Sequence, residues 1–209
     1  MAVFPDDQYQ TIEKSAEASL RLKGSRFLGF GFPVETQEQF KQVLRERTKR
    51  YHDATHHCWA YRLLVNDKVV AASSDAGEPS GTAGKPILSY IEGRNLLNVG
   101  IIVTRYFGGT KLGTGGLARA YADCTQLTLN SASIVVKTIT EQVILQFPYE
   151  SISMIMRIVA KYGATVSASD FMPKLSMIIN IPRSQVLHFK QELMDAGRGH
   201  IQFPDRIPH

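Results

Sequence analysis

The sequence predicts an α+β protein built as two domains, residues 1–135 and 136–209, and three observations carry the prediction. Strand-like and helix-like stretches alternate through the first part, but hairpins are interspersed among them. That pattern favours an α+β sandwich over a doubly wound parallel sheet. The remainder follows another rhythm: strand, helix, hairpin, helix and a short closing apolar run. At 209 residues the chain is also long enough for one large domain or two small ones.

Each element has its own signal. "TIEKSAEASLRLKGSRFLGFGFPV" (11–34) reads as two strands around the Lys23-Gly24-Ser25 turn, with the clearer alternation in the second. Thr36 then caps a helix, "QEQFKQVLRERTKRY", whose Phe40, Val43 and Leu44 recur at helical spacing. "HHCWAYRLLV" (56–65) is rich in aromatic and branched residues and suits a strand, followed by a hairpin turn at Asn66-Asp67. "SSDAGEPSGTAGKP" (73–86) holds three glycines and two prolines and reads as a loop. "ILSYIEGRNLL" suggests a helix, "NVGIIVTRYF" (98–107) a buried strand, and "TGGLARAYADCTQLTLNSA" (114–132) a long amphipathic helix.

Beyond residue 135, "KTITEQVILQFP" alternates as a strand, and "YESISMIMRIVAKYG" is a helix ended by Gly163. "ATVSASDF" and "KLSMIINIP" form a hairpin, and "RSQVLHFKQELMDAG" is a helix ended by Gly197. This order, closed by "HIQFP", matches a ferredoxin-like split βαβ unit.

Composition narrows the function classes. The chain is 44% hydrophobic and 21% charged, ordinary for a soluble globular protein, and no run approaches the roughly 18 apolar residues of a spanning helix. The acidic start "MAVFPDDQYQ" lacks the basic-then-apolar pattern of an export signal. Cys58 and Cys124 are expected as two buried thiols in a reducing compartment. A cytoplasmic protein without a membrane partner follows. The net charge of +5 is spread, with 16 Lys and Arg against 13 Asp and Glu before residue 136, and 8 against 6 after it. Affinity for nucleic acid must therefore come from a local patch.

The densest motif runs from Thr104 to Cys124. It places Gly108, Gly109, Gly113, Gly115 and Gly116 within nine positions, with Arg105, Lys111 and Arg119 around and among them. It follows a strand and enters a helix, the setting in which backbone N–H groups receive an anion. Thr114 stands where a P-loop needs lysine, and the spacing is wrong for G-x-G-x-x-G. Two readings stand: contact with phosphate or nucleic acid through Arg105, Lys111 and Arg119, or a glycine bulge that packs a strand against a helix.

In the second loop Asp75 and Glu78 serve either as an acid–base pair or as turn and helix caps, with Lys85 nearby. His56 and His57 sit beside Cys58, but on a strand His57 points away from the other two, so no metal site is expected, and the two histidines either border a phosphate-binding patch or are hydrogen-bonded core residues. Arg45, Arg47, Lys49 and Arg50 form either a solvated helix face or an RNA-backbone contact, with Tyr51 and Trp59 as neighbouring aromatic rings.

The blocks "KGSRFLG" (23–29), "HHCWAYR" (56–62), "DAGEPSGTAGKPIL" (75–88) and "VTRYFGGTKLGTGGLARAY" (103–121) resemble the IMPACT family in its bacterial YigZ branch. The resemblance implies an N-terminal domain like the second domain of ribosomal protein S5. It also implies a ferredoxin-like C-terminal domain akin to one of elongation factor G. Both relatives act on RNA or the ribosome. Eukaryotic IMPACT proteins regulate translation by binding the activator of the general-control kinase, through an N-terminal domain without counterpart here, so that role is not carried over. The resemblance supplies no catalytic residues and no cofactor.

The expectation is thus a cytoplasmic RNA- or ribosome-binding protein that modulates translation. Its binding residues would be Arg105, Lys111, Arg119, Lys85 and the five glycines. The alternatives are an enzyme that encloses a small phosphorylated or nucleotide ligand between the two glycine-rich loops, and an adaptor that binds a protein partner.

Overall fold

The computed structural model describes residues 7–66, 68–170 and 175–205. Asp67 of the first predicted turn, and Phe171 and Lys174 at the ends of the later predicted strands, lie outside the described residues. The chain divides into two compact units, Tyr9–Lys137 and Thr138 onward, the latter including Asp7 and Gln8.

The first unit runs β1 (Gln8–Ile12), β2 (Ala16–Leu22), β3 (Ser25–Pro33), α1 (Gln37–Arg50), β4 (His56–Val65), β5 (Lys68–Ser74), α2 (Gly84–Gly93), β6 (Val99–Tyr106), α3 (Gly113–Asn130) and β7 (Ile134–Thr138). Five strands form one sheet in the order β2-β3-β6-β4-β5, every neighbouring pair antiparallel. Strand β6 takes the middle place. Its first seven residues are buried because both faces of the sheet are covered. On one face Phe27, Cys58, Ala60, Ile101 and Val103 pack under Ile87 and Ile91 of α2 and Leu117, Tyr121 and Cys124 of α3. Gly29 permits the close seating of α3, since a Cβ there would lie 2.0 Å from Thr128 Oγ1 and 3.1 Å from Cys124 Sγ.

The other face carries α1. Phe40 enters an aromatic cluster, 5.6 Å from the Phe32 ring, 4.8 Å from Tyr61 and 5.2 Å from Trp59. Thr36 starts α1 with a reciprocal cap: its hydroxyl accepts from Gln39 N at 3.1 Å, and Gln39 Oε1 accepts from Thr36 N. The β2–β3 turn is Lys23-Gly24, both residues at positive φ (46° and 78°), as a tight two-residue hairpin requires.

Two boundaries differ from the sequence reading. Strand β1 is not part of that hairpin but pairs with β7, more than a hundred residues away, as a separate two-stranded sheet. Helix α2 begins at Gly84 and stops before Leu96 and Leu97, because Asn95 at φ 50° breaks the helix and Leu96 bridges to Gln10.

The second unit comprises β8 (Thr140–Phe147), α4 (Ile152–Lys161), β9 (Thr165–Asp170), β10 (Leu175–Pro182) and α5 (Val186–Gly197). Its antiparallel order β8-β10-β9 is that of a split βαβ unit. The closing strand is reduced to one bridge, Gln146 to Gln202. Val143, Leu145, Ile179 and Ile181 of the sheet pack on Ile155, Ile158 and Val159 of α4 and Phe189 and Leu193 of α5. The single strand expected over 137–148 is two, β7 and β8, separated at buried Ile139. The whole is α+β, and no described helix is long and apolar enough to cross a membrane.

Candidate functional site

The two glycine-rich loops are tied together by a buried pair of opposite charges. Arg105 lies near the end of β6, on the sheet face that packs against α3, in register with Phe27 and His56. Its Nη1 donates to Glu78 Oε1 at 2.6 Å and its Nη2 to Ser25 Oγ at 3.3 Å. The Tyr121 hydroxyl, reaching from α3, donates to the same Glu78 oxygen at 2.8 Å. Arg105 is 4% exposed and Glu78 8%, so the pair is shielded from water. The Arg105 guanidinium also sits beside the Phe27 and Phe107 rings, and its Nε has no acceptor.

Other polar groups surround this pair. The Cys58 thiol donates to the Asp75 carbonyl at 2.9 Å and lies 3.2 Å from the Tyr121 oxygen. Burial pushes the Cys58 thiol up to about 12, and burial likewise drives the Tyr121 phenol far above its usual value. Neither is an activated nucleophile. His56 Nδ1 donates to the Ala76 carbonyl at 2.9 Å, which turns Nε2 towards Glu78 Oε2 at 3.9 Å.

Asp75 organises the same loop. One carboxylate oxygen accepts from Ala83 N and Gly84 N at 2.9 and 2.8 Å, the other from Gly81 N at 2.8 Å. It thereby caps α2 from outside the helix. Burial acts to raise its pKa, but the three backbone donors and Lys85 outweigh burial and hold it below the ordinary carboxylate value. Asp75 and Glu78 are spent on backbone, arginine and tyrosine partners.

The cations part company. Arg105 is buried, whereas Lys111, Arg119 and Lys85 are exposed. Neither Lys111 nor Arg119 has an ion-pair or hydrogen-bond partner among the described residues. Between them α3 starts without a side-chain cap and without an acidic residue in its first turn. The glycines part company as well. Gly109 and Gly113 adopt φ of 86° and 72°, and Gly108 presses on the Gly24 backbone, with its N–H donating to Ser25 Oγ at 3.2 Å. Gly115 has neither reason to be glycine: its φ is ordinary, and a Cβ there would meet nothing within 4 Å.

On α1, Arg45, Lys49 and Arg50 are exposed while Arg47 turns inward against the sheet. His57 projects to the opposite side of β4 from His56 and Cys58, with Nδ1 3.1 Å from Thr104 Oγ1. Burial is the main cause that lowers its pKa, a backbone hydrogen bond with Tyr51 works against it, and the nearby charge of Arg47 adds to the lowering. Sequence reasoning missed Tyr121 and Ser25. A phenol at position 121, in register with apolar Leu117, Ala120 and Cys124, was the available signal, since a buried hydroxyl needs a partner.

The model of the Impact N-terminal domain matches residues 23–129, a span that begins at the Lys23-Gly24 turn and encloses the whole network. The chain belongs to the IMPACT family. It is 31% identical over 181 residues to an IMPACT family member of Haemophilus influenzae, covering 86% of this chain and 88% of that protein. Similarity to the IMPACT family member YigZ of Escherichia coli is also 31% over 182 residues, covering 87% and 89%. A crystal structure described as that of a hypothetical protein superposes with a TM-score of 0.72 at 28% identity, over 97% of this chain and 98% of the other. The IMPACT similarity thus runs through both units.

Proposed function

We propose that this IMPACT protein is a cytoplasmic binding protein that holds RNA, free or within the ribosome, and modulates translation. The observation that carries the reading is the start of α3. Gly115 forgoes about 1 kcal/mol of helix propensity relative to alanine with no internal packing reason for it. Its absent side chain leaves the first-turn N–H groups open to a ligand. The positive end of the helix dipole faces the same way. Lys111 stands just before that end and Arg119 in the following turn, two cations near a terminus where a helix without a ligand prefers acidic residues. Such a site suits a phosphate of the RNA backbone.

In this reading Lys111, Arg119 and the N–H groups of Gly113, Gly115 and Gly116 meet phosphate, with Lys85 beside the neighbouring loop. Arg105 acts through Glu78 and Ser25 by fixing the loops. Residues 1–135 form the binding domain, and the ferredoxin-like domain, 136–209, adds a second surface.

The test is binding to structured RNA and to ribosomes across a salt series. Affinity is expected to fall steeply with salt, and Lys111→Ala and Arg119→Ala are each expected to reduce the log–log salt slope by about one. Unchanged slopes in both variants, or no binding at low salt, would overturn the reading.

A further inference from the structure

The opposite face of the sheet holds a second cationic site that the α3 reading does not use. Beyond the point where Phe40 packs, the C-terminal half of α1 leaves an open pocket of about 270 Å³ against β2 and β3. Glu17, Ser19, Arg26, Leu28, Arg47 and Tyr51 line it. Strand alternation puts Arg26 and Leu28 on the side away from Arg105.

Charge is placed here against the protein's own interest. Arg21 and Arg26 stand directly opposite each other in the β2–β3 register, both exposed. Like charges so placed destabilise a sheet, and neither arginine has a carboxylate partner among the described residues. Arg47 is 6% exposed, with its guanidinium carbon 4.1 Å from the Phe30 ring centre and 4.8 Å from that of Tyr51. Its Nε is buried without an acceptor. Its one carboxylate partner among the described residues, Glu17 at 2.6 Å, has a side chain 53% exposed, a tie that solvent weakens and a stronger anion can displace.

Two guanidinium groups, a serine hydroxyl and a partly buried phenol define the ligand's chemistry. Arginine forks match phosphate oxygens, and the Tyr51 ring, already packed against the Arg47 and Arg50 guanidinium groups, stands in the pocket wall beside them. The volume lies below the roughly 300 Å³ at which pockets for drug-sized ligands begin, so it suits one phosphate with its base at the rim. We propose that this pocket binds the phosphate of a nucleotide between Arg26 and Arg47, displacing Glu17 from Arg47. The nucleotide is either free or one unit of an RNA strand. The RNA arm rests on the function proposed above; the pocket itself does not.

The experiment titrates the full-length protein at low salt with inorganic phosphate, adenosine monophosphate and a short oligoribonucleotide, using Arg26→Ala and Glu17→Gln. Both positions are exposed, and circular dichroism checks that both variants fold. Arg26→Ala is expected to weaken adenosine monophosphate binding about tenfold, the loss of one charged hydrogen bond. Glu17→Gln is expected to strengthen it, because the competing carboxylate is gone. An Arg26 effect on the mononucleotide alone assigns a free nucleotide, and an effect on both ligands assigns an RNA unit. Unchanged binding in both variants, or weaker binding in Glu17→Gln, overturns the pocket. If Lys111→Ala then still weakens RNA binding, the α3 reading stands without it.

Discussion

Glu78→Ala is expected to cost the protein about 3–5 kcal/mol of stability, measured by urea denaturation. The loss comes from what remains behind. Removing Glu78 strands the positive charge of the Arg105 guanidinium at 4% exposure. The Tyr121 hydroxyl loses its acceptor in the same step. The control is the double replacement Glu78→Leu with Arg105→Met, which removes both charges and is expected to recover most of the loss, because a buried ion pair is worth little more than an apolar pair of similar volume. A Glu78→Ala protein within about 1 kcal/mol of the parent would mean that water reaches Arg105.

Gly108→Ala is expected to cost about 3 kcal/mol, at the upper end for an overpacked site. A Cβ on Gly108 would lie 1.8 Å from the Gly24 carbonyl carbon and 2.2 Å from Ser25 N, atoms of backbone that no rotamer change can move aside. Relief would require the β2–β3 turn to shift, and with it the Ser25 hydroxyl that serves both Arg105 and Gly108. Gly115→Ala, seven residues on, is expected to do the opposite and stabilise by up to about 1 kcal/mol, since it fills open space in a helical turn. Thermal melts of the pair decide it. Equal effects of one sign would show that the two glycines share a single role.

That contrast explains what could be read from the sequence. Five glycines between positions 108 and 116 announce a strand-to-helix corner. That Gly108 serves packing depends on atoms of Gly24 and Ser25, far back in the chain, which nothing in the glycine run itself announces. Elements with local causes were legible: α1 through Thr36 and Gln39, β6 through its branched apolar residues Ile101, Ile102 and Val103, and the split βαβ order of the second unit. Elements with distant causes were not. Nothing near β1 says that it pairs with β7, whereas the capping role open to Asp75 in the sequence is the one it takes, at the helix starting at Gly84. Glu78 offered itself as an acid–base group because Arg105, its partner, lies 27 residues away on another element. The cationic run on α1, broken in sequence by Glu46 and Thr48, loses Arg47 as well, because helical geometry turns that side chain into the sheet.

The middle place of β6 also sets a timetable. Strands β2 and β3 form one local hairpin and β4 and β5 another, yet within the sheet only residues 99–106 join the two. A nascent chain that has reached residue 74 therefore carries two hairpins, each with an inner edge that has no strand to pair with. At roughly 5–20 residues per second, seconds pass before β6 emerges, and α3 comes later still. Through that interval the inner edges of β3 and β4 are templates for other chains as well as for their own. The strand that unites the sheet is the last of its five to be made, so folding of this unit is a late, all-at-once closure.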